Sequence, residues 1–172
     1  MKGVEFYVDA ITNSIVDVLT NESIETDVEP LEPCDLKKIL KRNGWKFNWR
    51  MESKCPDRQL YKLLIRGDKA IQGLISIQVL EKYVEMYLIE TAPHNFGRKK
   101  KYSGVAANMV AFACKMSFEM GFEGYVGFRA KTRLIRHYID TLGAELLFKD
   151  RMQISEKAAE KLVNSYFKDY SK

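Results

Sequence analysis

The sequence predicts an α/β domain, a mixed β-sheet flanked by helices with an N-terminal β-hairpin and a short helix ahead of it. Three observations point there. Residues 58–91 read as three consecutive strands separated by turn residues. Apolar side chains from Val105 to Met120 recur at helical spacing. Beyond them, strand-like and helix-like stretches alternate, an order that packs helices on a sheet.

Each element follows from a local pattern. Val4–Ala10 and Ile15–Leu19 flank the turn-rich Thr12-Asn13-Ser14, which predicts a hairpin. Pro30 and Pro33 end that region. Asp35 is then placed to cap a short helix carrying Leu36, Ile39 and Leu40, with Gly44 as its stop. Leu60–Ile65, Ile71–Leu80 and Tyr83–Thr91 form a meander, with turns at Gly67-Asp68 and Glu81-Lys82. By the period of two, Val84, Met86 and Leu88 share one face of the third strand, and Glu90 continues it. After a break from Ala92 to Gly104, a long buried helix presents Val105, Met109, Phe112, Ala113, Met116 and Met120, closed by Gly121. Gly124–Phe128 is a short strand. Thr132–Leu142 is a helix with Leu134, Ile135, Tyr138, Ile139 and Leu142 inward and Gly143 just past its end. Ala144–Ile154 holds one or two strands. Ser155 caps a last helix with Ala158, Ala159, Leu162, Val163, Tyr166 and Phe167 inward.

Composition bounds the class. At 172 residues the chain is one domain's worth. Its 46% hydrophobic and 30% charged residues exclude a disordered chain. The longest uncharged apolar stretch, Val105–Cys114, falls far short of the roughly 20 residues of a membrane span. Glu5 and Asp9 stand where an export signal needs an apolar run, so a cytoplasmic location is expected. Cys34, Cys55 and Cys114 are far apart and form no metal-ligand spacing, so three reduced thiols and no metal are expected. Charge is uneven. Residues 1–33 carry Lys2 against eight acids, a net of −7, which leaves +12 of the chain's +5 on residues 34–172. A basic body attracts nucleic acid or an anionic cofactor, or is neutralised by its own acidic arm.

The loop before the long helix is the most informative stretch. Arg98, Lys99, Lys100 and Lys101 are consecutive, and Gly104 sits at the helix entrance. The first N–H groups of a helix lack internal partners and lie at the positive end of its dipole, so phosphate can bind there. No Walker A pattern is present. Four adjacent bases taken alone read as a solvated turn or a nucleic-acid contact.

Lys101-Tyr102-Ser103-Gly104-Val105-Ala106 resembles the acyl-CoA pyrophosphate loop of the GNAT N-acyltransferase superfamily, Gln/Arg-x-x-Gly-x-Gly/Ala, between a fourth strand and a long helix. The resemblance spans about Arg58 to Ile154. It includes the meander before the loop and the strand, helix and Leu-Gly-Ala after it. Lys101 departs from the pattern, keeping the charge without the planar fork of arginine.

The resemblance implies a GNAT-like mixed sheet and one acyltransferase domain over 1–172. Residues 58–154 would be the acyl-CoA-binding core and 155–172 a C-terminal helix. Residues 1–45 would lie on the acceptor side or at a dimer contact. The implied activity is transfer of an acetyl or other acyl group from acyl-CoA to a primary amine by direct attack. The implied partners are an amine-bearing small molecule or protein, and a second copy in a homodimer. Backbone groups of Ile89, Thr91 and Ala92 would hold pantetheine where two strands part. The N–H groups of Arg98, Lys99, Lys100, Lys101, Tyr102, Ser103, Gly104, Val105 and Ala106 would cradle the pyrophosphate. Glu90, and His94 if it points into the cleft, are the base candidates. Tyr138 is the acid candidate, although it precedes Gly143 by five residues where the family has four, a rotation of about 100°. Read from the residues alone, Tyr138 is equally a core aromatic with its hydroxyl satisfied, and Glu90 a carboxylate paired with Arg or Lys at a strand end. Arg129, Lys131 and Arg133 would meet the 3′-phosphate or adenine end, or serve as surface charge. The acidic arm favours a cationic acceptor such as a polyamine, an aminoglycoside or a lysine side chain, or else covers the basic body. Trp45, Phe47 and Trp49 line the acceptor pocket or fill core.

Two other readings stand beside this one. A non-catalytic protein of the same fold would bind CoA or a partner. A nucleic-acid binder would use Lys99–Lys101, but no helix-turn-helix, RNP or zinc signature accompanies them.

Overall fold

The computed structural model describes residues 3–167. The strands are β1 (Ile15–Asp17), β2 (Ser23–Ile24), β3 (Thr26–Pro30), β4 (Gln59–Ile65), β5 (Ile71–Val79), β6 (Val84–Thr91), β7 (Tyr102–Ser103), β8 (Val126–Arg129), β9 (Glu145–Phe148) and β10 (Arg151–Ile154). The helices are α1 (Trp49–Ser53), α2 (Val105–Glu119), α3 (Ile135–Leu142) and α4 (Glu156–Tyr166). A seven-stranded sheet runs β3-β4-β5-β6-β8-β10-β9, antiparallel except for the parallel β6–β8 pair. A small sheet, β2-β1-β7, sits at the entrance to α2. The last helix was expected over 155–172; residues 168–172 lie outside the described ones.

Apolar clusters pack both faces of the large sheet. On one, Leu63, Ile75, Ile77, Met86 and Ile89 meet α2 and α4 through Met109, Val110 and Leu162. On the other, Leu74 packs with Ile39, Trp45, Trp49 and Ala92. Removing such side chains from water is worth about 1.5–3 kcal/mol each. α2 is buried nearly all round, from Val105 through Ala111 and at Ala113 and Cys114. Met120, expected on its inner face, is instead half exposed at the helix end.

Three expectations need correction. The hairpin is formed by β1 and β2, with Ile15 opposite Ile24. Val4–Ala10 makes no hairpin strand; its one bridge joins Val4 to Ala130, in parallel. The short helix is two 3-10 turns, Pro33–Lys38 and Lys41–Asn43. Its cap is Glu32, whose N–H donates to Oδ2 of Asp35 at 2.8 Å, while Gly44 ends it in the left-handed region as expected. Finally, β6 does not keep one face. Ser76 lies opposite Leu88 and Ile77 opposite Met86, so Tyr87 is an extra residue in a bulge. Val84 and Met86 therefore face the α2 side with Ile89, while Leu88 joins the Trp45–Trp49 cluster and Glu90 follows it.

Candidate active site

β6 and β8 share two rungs, Val84↔Val126 and Glu85↔Gly127, and then part. Ala92 donates its N–H to Gln72 on the β5 side. Strand alternation therefore turns the backbone groups of Ile89 and Thr91 toward the gap. No backbone hydrogen bond among the described residues closes them off. A cleft of about 620 Å³ lies there, lined by Ile89, Glu90 and Thr91 on one wall and by Glu5, Phe6 and Asp9 on the other. Lys100 and Val105 stand at its α2 end.

The far wall belongs to the N-terminal segment, which sequence reasoning placed in a hairpin. Val4 N–H donates to the Arg129 carbonyl at 2.7 Å, and Lys131 N–H to the Val4 carbonyl at 3.4 Å. The Tyr138 hydroxyl accepts from Phe6 N–H at 3.1 Å and donates to Phe6 C=O at 2.8 Å. Val8 N–H donates to His137 Nε2 at 2.9 Å. Val4, Phe6 and Val8 are buried, so the period of two is real and its partners lie on the β8–α3 side. Tyr138 is fully buried, and burial pushes its hydroxyl pKa up. With both hydrogen-bonding roles taken by Phe6, it does not face the cleft as an acid would.

The entrance of α2 is occupied by a side chain. Gly104, at φ +82°, donates its N–H to Oδ1 of Asp9 at 3.1 Å, and Lys100 Nζ meets Oδ2 at 2.8 Å. A Cβ on Gly104 would collide with Thr12 Oγ1, so glycine is required here by the chain's own close approach as well as by φ. The expected nine-residue cradle is correspondingly smaller. Lys100 and Lys101 N–H groups go to Gly97 and His94 carbonyls, and Tyr102 N–H to Asn95 Oδ1. Ser103 pairs with Val16 in β7–β1. The open donors of the first helical turn are those of Val105, Ala106 and Ala107, the first bond of the helix running from Asn108 N–H to the Gly104 carbonyl. Arg98, Lys99 and Lys101 project into solvent.

Glu90 lies at the cleft but is not a free base. Its carboxylate accepts from Lys46 N–H at 2.6 Å, Phe47 N–H at 3.3 Å and Trp49 Nε1–H at 2.8 Å. It thereby fixes residues 46–49, burying Trp45 and Trp49 as core and leaving Phe47 at the cleft wall. His94 turns away into a separate hollow with Ile39 and Trp45, where Nε2 meets Gln72 Oε1 at 2.8 Å. Burial of its ring, then the neighbouring Lys101 charge, holds its pKa below the ordinary value. Arg133 and Lys131 pair with Glu5, and Arg129 with Asp150. The acidic arm thus neutralises part of the basic body.

No family model matches this sequence, and no curated protein does. Solved structures share its fold. A probable GNAT-family acetyltransferase of Chromobacterium violaceum is 11% identical and superposes over 91% of this chain and 93% of its own, at a TM-score of 0.59. The spermidine/spermine N-acetyltransferase SpeG of Vibrio cholerae is 15% identical over 80% of this chain and 96% of its own, at 0.51. The fold is that of the GNAT acetyltransferases. In GNAT terms β6 and β8 are the strands that part, and Gly104 opens the long helix behind the gap. Asp9, Lys46 and Asn95 escaped the sequence reading. For Asp9 the alternation of Val4, Phe6 and Val8 was the available signal.

Proposed function

We propose that the chain is an acyl-CoA-dependent N-acyltransferase, passing an acetyl or longer acyl group to a primary amine by direct attack within the cleft beside β6. The observation that carries this is the parting of β6 from β8 after two rungs, directly ahead of the α2 entrance. The GNAT fold supports it. So does the fit of an anion at that entrance, where Gly104 N–H and Lys100 already hold a carboxylate. Acyl-CoA supplies the activated thioester. Ile89 and Thr91 would hold its pantetheine arm through their gap-facing backbone groups, and the N–H groups of Gly104, Val105 and Ala106 with Lys100 its diphosphate. Glu90 is a positioning residue in this reading, keeping Phe47 and the Lys46 backbone as the acceptor wall. A polyamine is the first acceptor to test, because the Vibrio protein is named for spermidine and spermine and the arm of this chain is acidic. A homo-oligomer and a cytoplasmic location belong to the same proposal.

Calorimetry with acetyl-CoA tests the reading, followed by mass spectrometry of spermidine, an aminoglycoside and a lysine peptide incubated with both. Saturable binding and an acyl adduct on one amine are expected; no binding at millimolar acetyl-CoA overturns it. A second reading, a GNAT-fold protein without catalysis, is favoured by Asp9 at the helix entrance and by the engaged Tyr138 hydroxyl. Binding without any acyl adduct selects it.

A further inference from the structure

We propose that residues 3–12 are an intramolecular stand-in for the cofactor, a segment that occupies part of its site and must come away before an acyl-CoA can seat. The inference rests on the acyl-CoA reading and concerns how that site opens.

Two anionic groups of the segment sit where this reading puts phosphate, one on the diphosphate donors and one on the cations that the resemblance offers to the 3′-phosphate. Asp9 takes Gly104 N–H and Lys100 at the mouth of α2. Glu5 takes Arg133 and Lys131 beyond β8. Between them Val4, Phe6 and Val8 are bonded at every second residue along the β8–α3 side of the cleft, Val4 to the Arg129 and Lys131 backbone and the other two to the Tyr138 and His137 side chains, so the segment narrows the gap from that side. Thr12 completes the closure. Its hydroxyl lies against the space a Gly104 Cβ would need, and its N–H donates to the Tyr166 hydroxyl at 2.9 Å.

The attachments suit release. The N–H groups of Phe6, Val8 and Thr12 end on side chains, those of Tyr138, His137 and Tyr166, rather than on strand backbone. A single bridge, Val4–Ala130, ties it to β8. Withdrawal of residues 3–12 therefore breaks that bridge but none of the rungs of the seven-stranded sheet. A diphosphate brought to Gly104 meets the Asp9 carboxylate on the same N–H, and two like charges cannot share it.

The test is acetyl-CoA titration of the full chain and of Asp9→Asn by calorimetry, with amide hydrogen exchange followed by NMR at Phe6, Val8 and Thr12. Asparagine keeps an oxygen for Gly104 N–H and removes the charge. Asp9→Asn is expected to bind acetyl-CoA about tenfold or more tightly, and in both proteins the ligand should speed exchange at the three amides. Equal affinities, or binding with the amides still protected, overturn the proposal while the acyl-CoA reading survives. No binding by either protein at millimolar ligand overturns both. If circular dichroism shows Asp9→Asn unfolded, Glu5→Gln at the solvent-facing pair carries the same comparison, with the same two outcomes.

Discussion

Asp9 and Gly104, 95 residues apart in sequence, meet at the mouth of α2, where the carboxylate receives the glycine N–H at 3.1 Å. The contact caps a helix whose own first residues offer no side-chain cap. An acid at the N-terminal end of a helix is typically worth about 0.3–1 kcal/mol through the dipole. The pair also places the most distant part of the chain on the residue that the GNAT loop pattern singles out.

Gly104→Ala should destabilise the protein by about 1–3 kcal/mol, because a Cβ there meets both a left-handed backbone and Thr12. Urea unfolding measures the loss. Faster amide exchange at Thr12 should accompany it, and an unchanged midpoint would contradict the packing described. Any bulkier residue at 104, glutamate included, disturbs the fold before it reports on ligand binding.

Glu90→Gln replaces one acceptor oxygen by an NH₂ group that faces donors. A cost of about 1–3 kcal/mol is expected from the unpaired groups among Lys46, Phe47 and Trp49. Because Trp49 is 1% exposed, loosening should shift its fluorescence to the red. If stability and emission both stay as in the parent protein, Glu90 does not hold this wall.

Alkaline pH should release the N-terminal segment. Burial raises the hydroxyl pKa values of Tyr138 and Tyr166, which bind Phe6 and Thr12. The folded state therefore keeps protons that the unfolded chain sheds near its ordinary value of about 10. Their contribution is complete below that pH and is lost as pH rises above it. Tyr138→Phe should cost about 1 kcal/mol at neutral pH yet lose less of its stability between pH 9 and 11, read as Tm against pH.

Lys62 and Asp35 form a buried pair at 2.8 Å under the first 3-10 turn, and the Asp35 hydrogen bond is the leading cause that holds the Lys62 pKa up. Lys62→Met strands the carboxylate and should cost about 3–5 kcal/mol. The double variant Lys62→Met/Asp35→Asn should recover part of this in urea unfolding. Equal stability of the single variant and the parent would show that the pair is idle.

The meander and α2 were legible because their partners are neighbours in sequence. The β6 face was misread at Tyr87, since a bulge leaves no mark in an alternating pattern and shifts every later residue by one. Glu90 looked like a base because its donors, two of them backbone N–H groups at 46 and 47, carry no side-chain signature. Val4, Phe6 and Val8 announced a strand, but the elements they join come more than 120 residues later. The nearest turn, at Thr12–Ser14, offered a closer partner that the chain does not use. The loop motif located the α2 entrance correctly, while which group stands at it was decided by that remote segment.

Gly3 has a practical consequence for anyone handling this protein. A Cβ there would lie 2.6–2.9 Å from the Ala130 and Lys131 backbone, so the start of the described chain is wedged into the β8 margin. A reporter fused ahead of it is expected to disturb that packing and loosen the nearby Glu5 and Asp9 more than a fusion after residue 172 does, and comparing the two fusions gives a first, inexpensive view of what the wedge restrains.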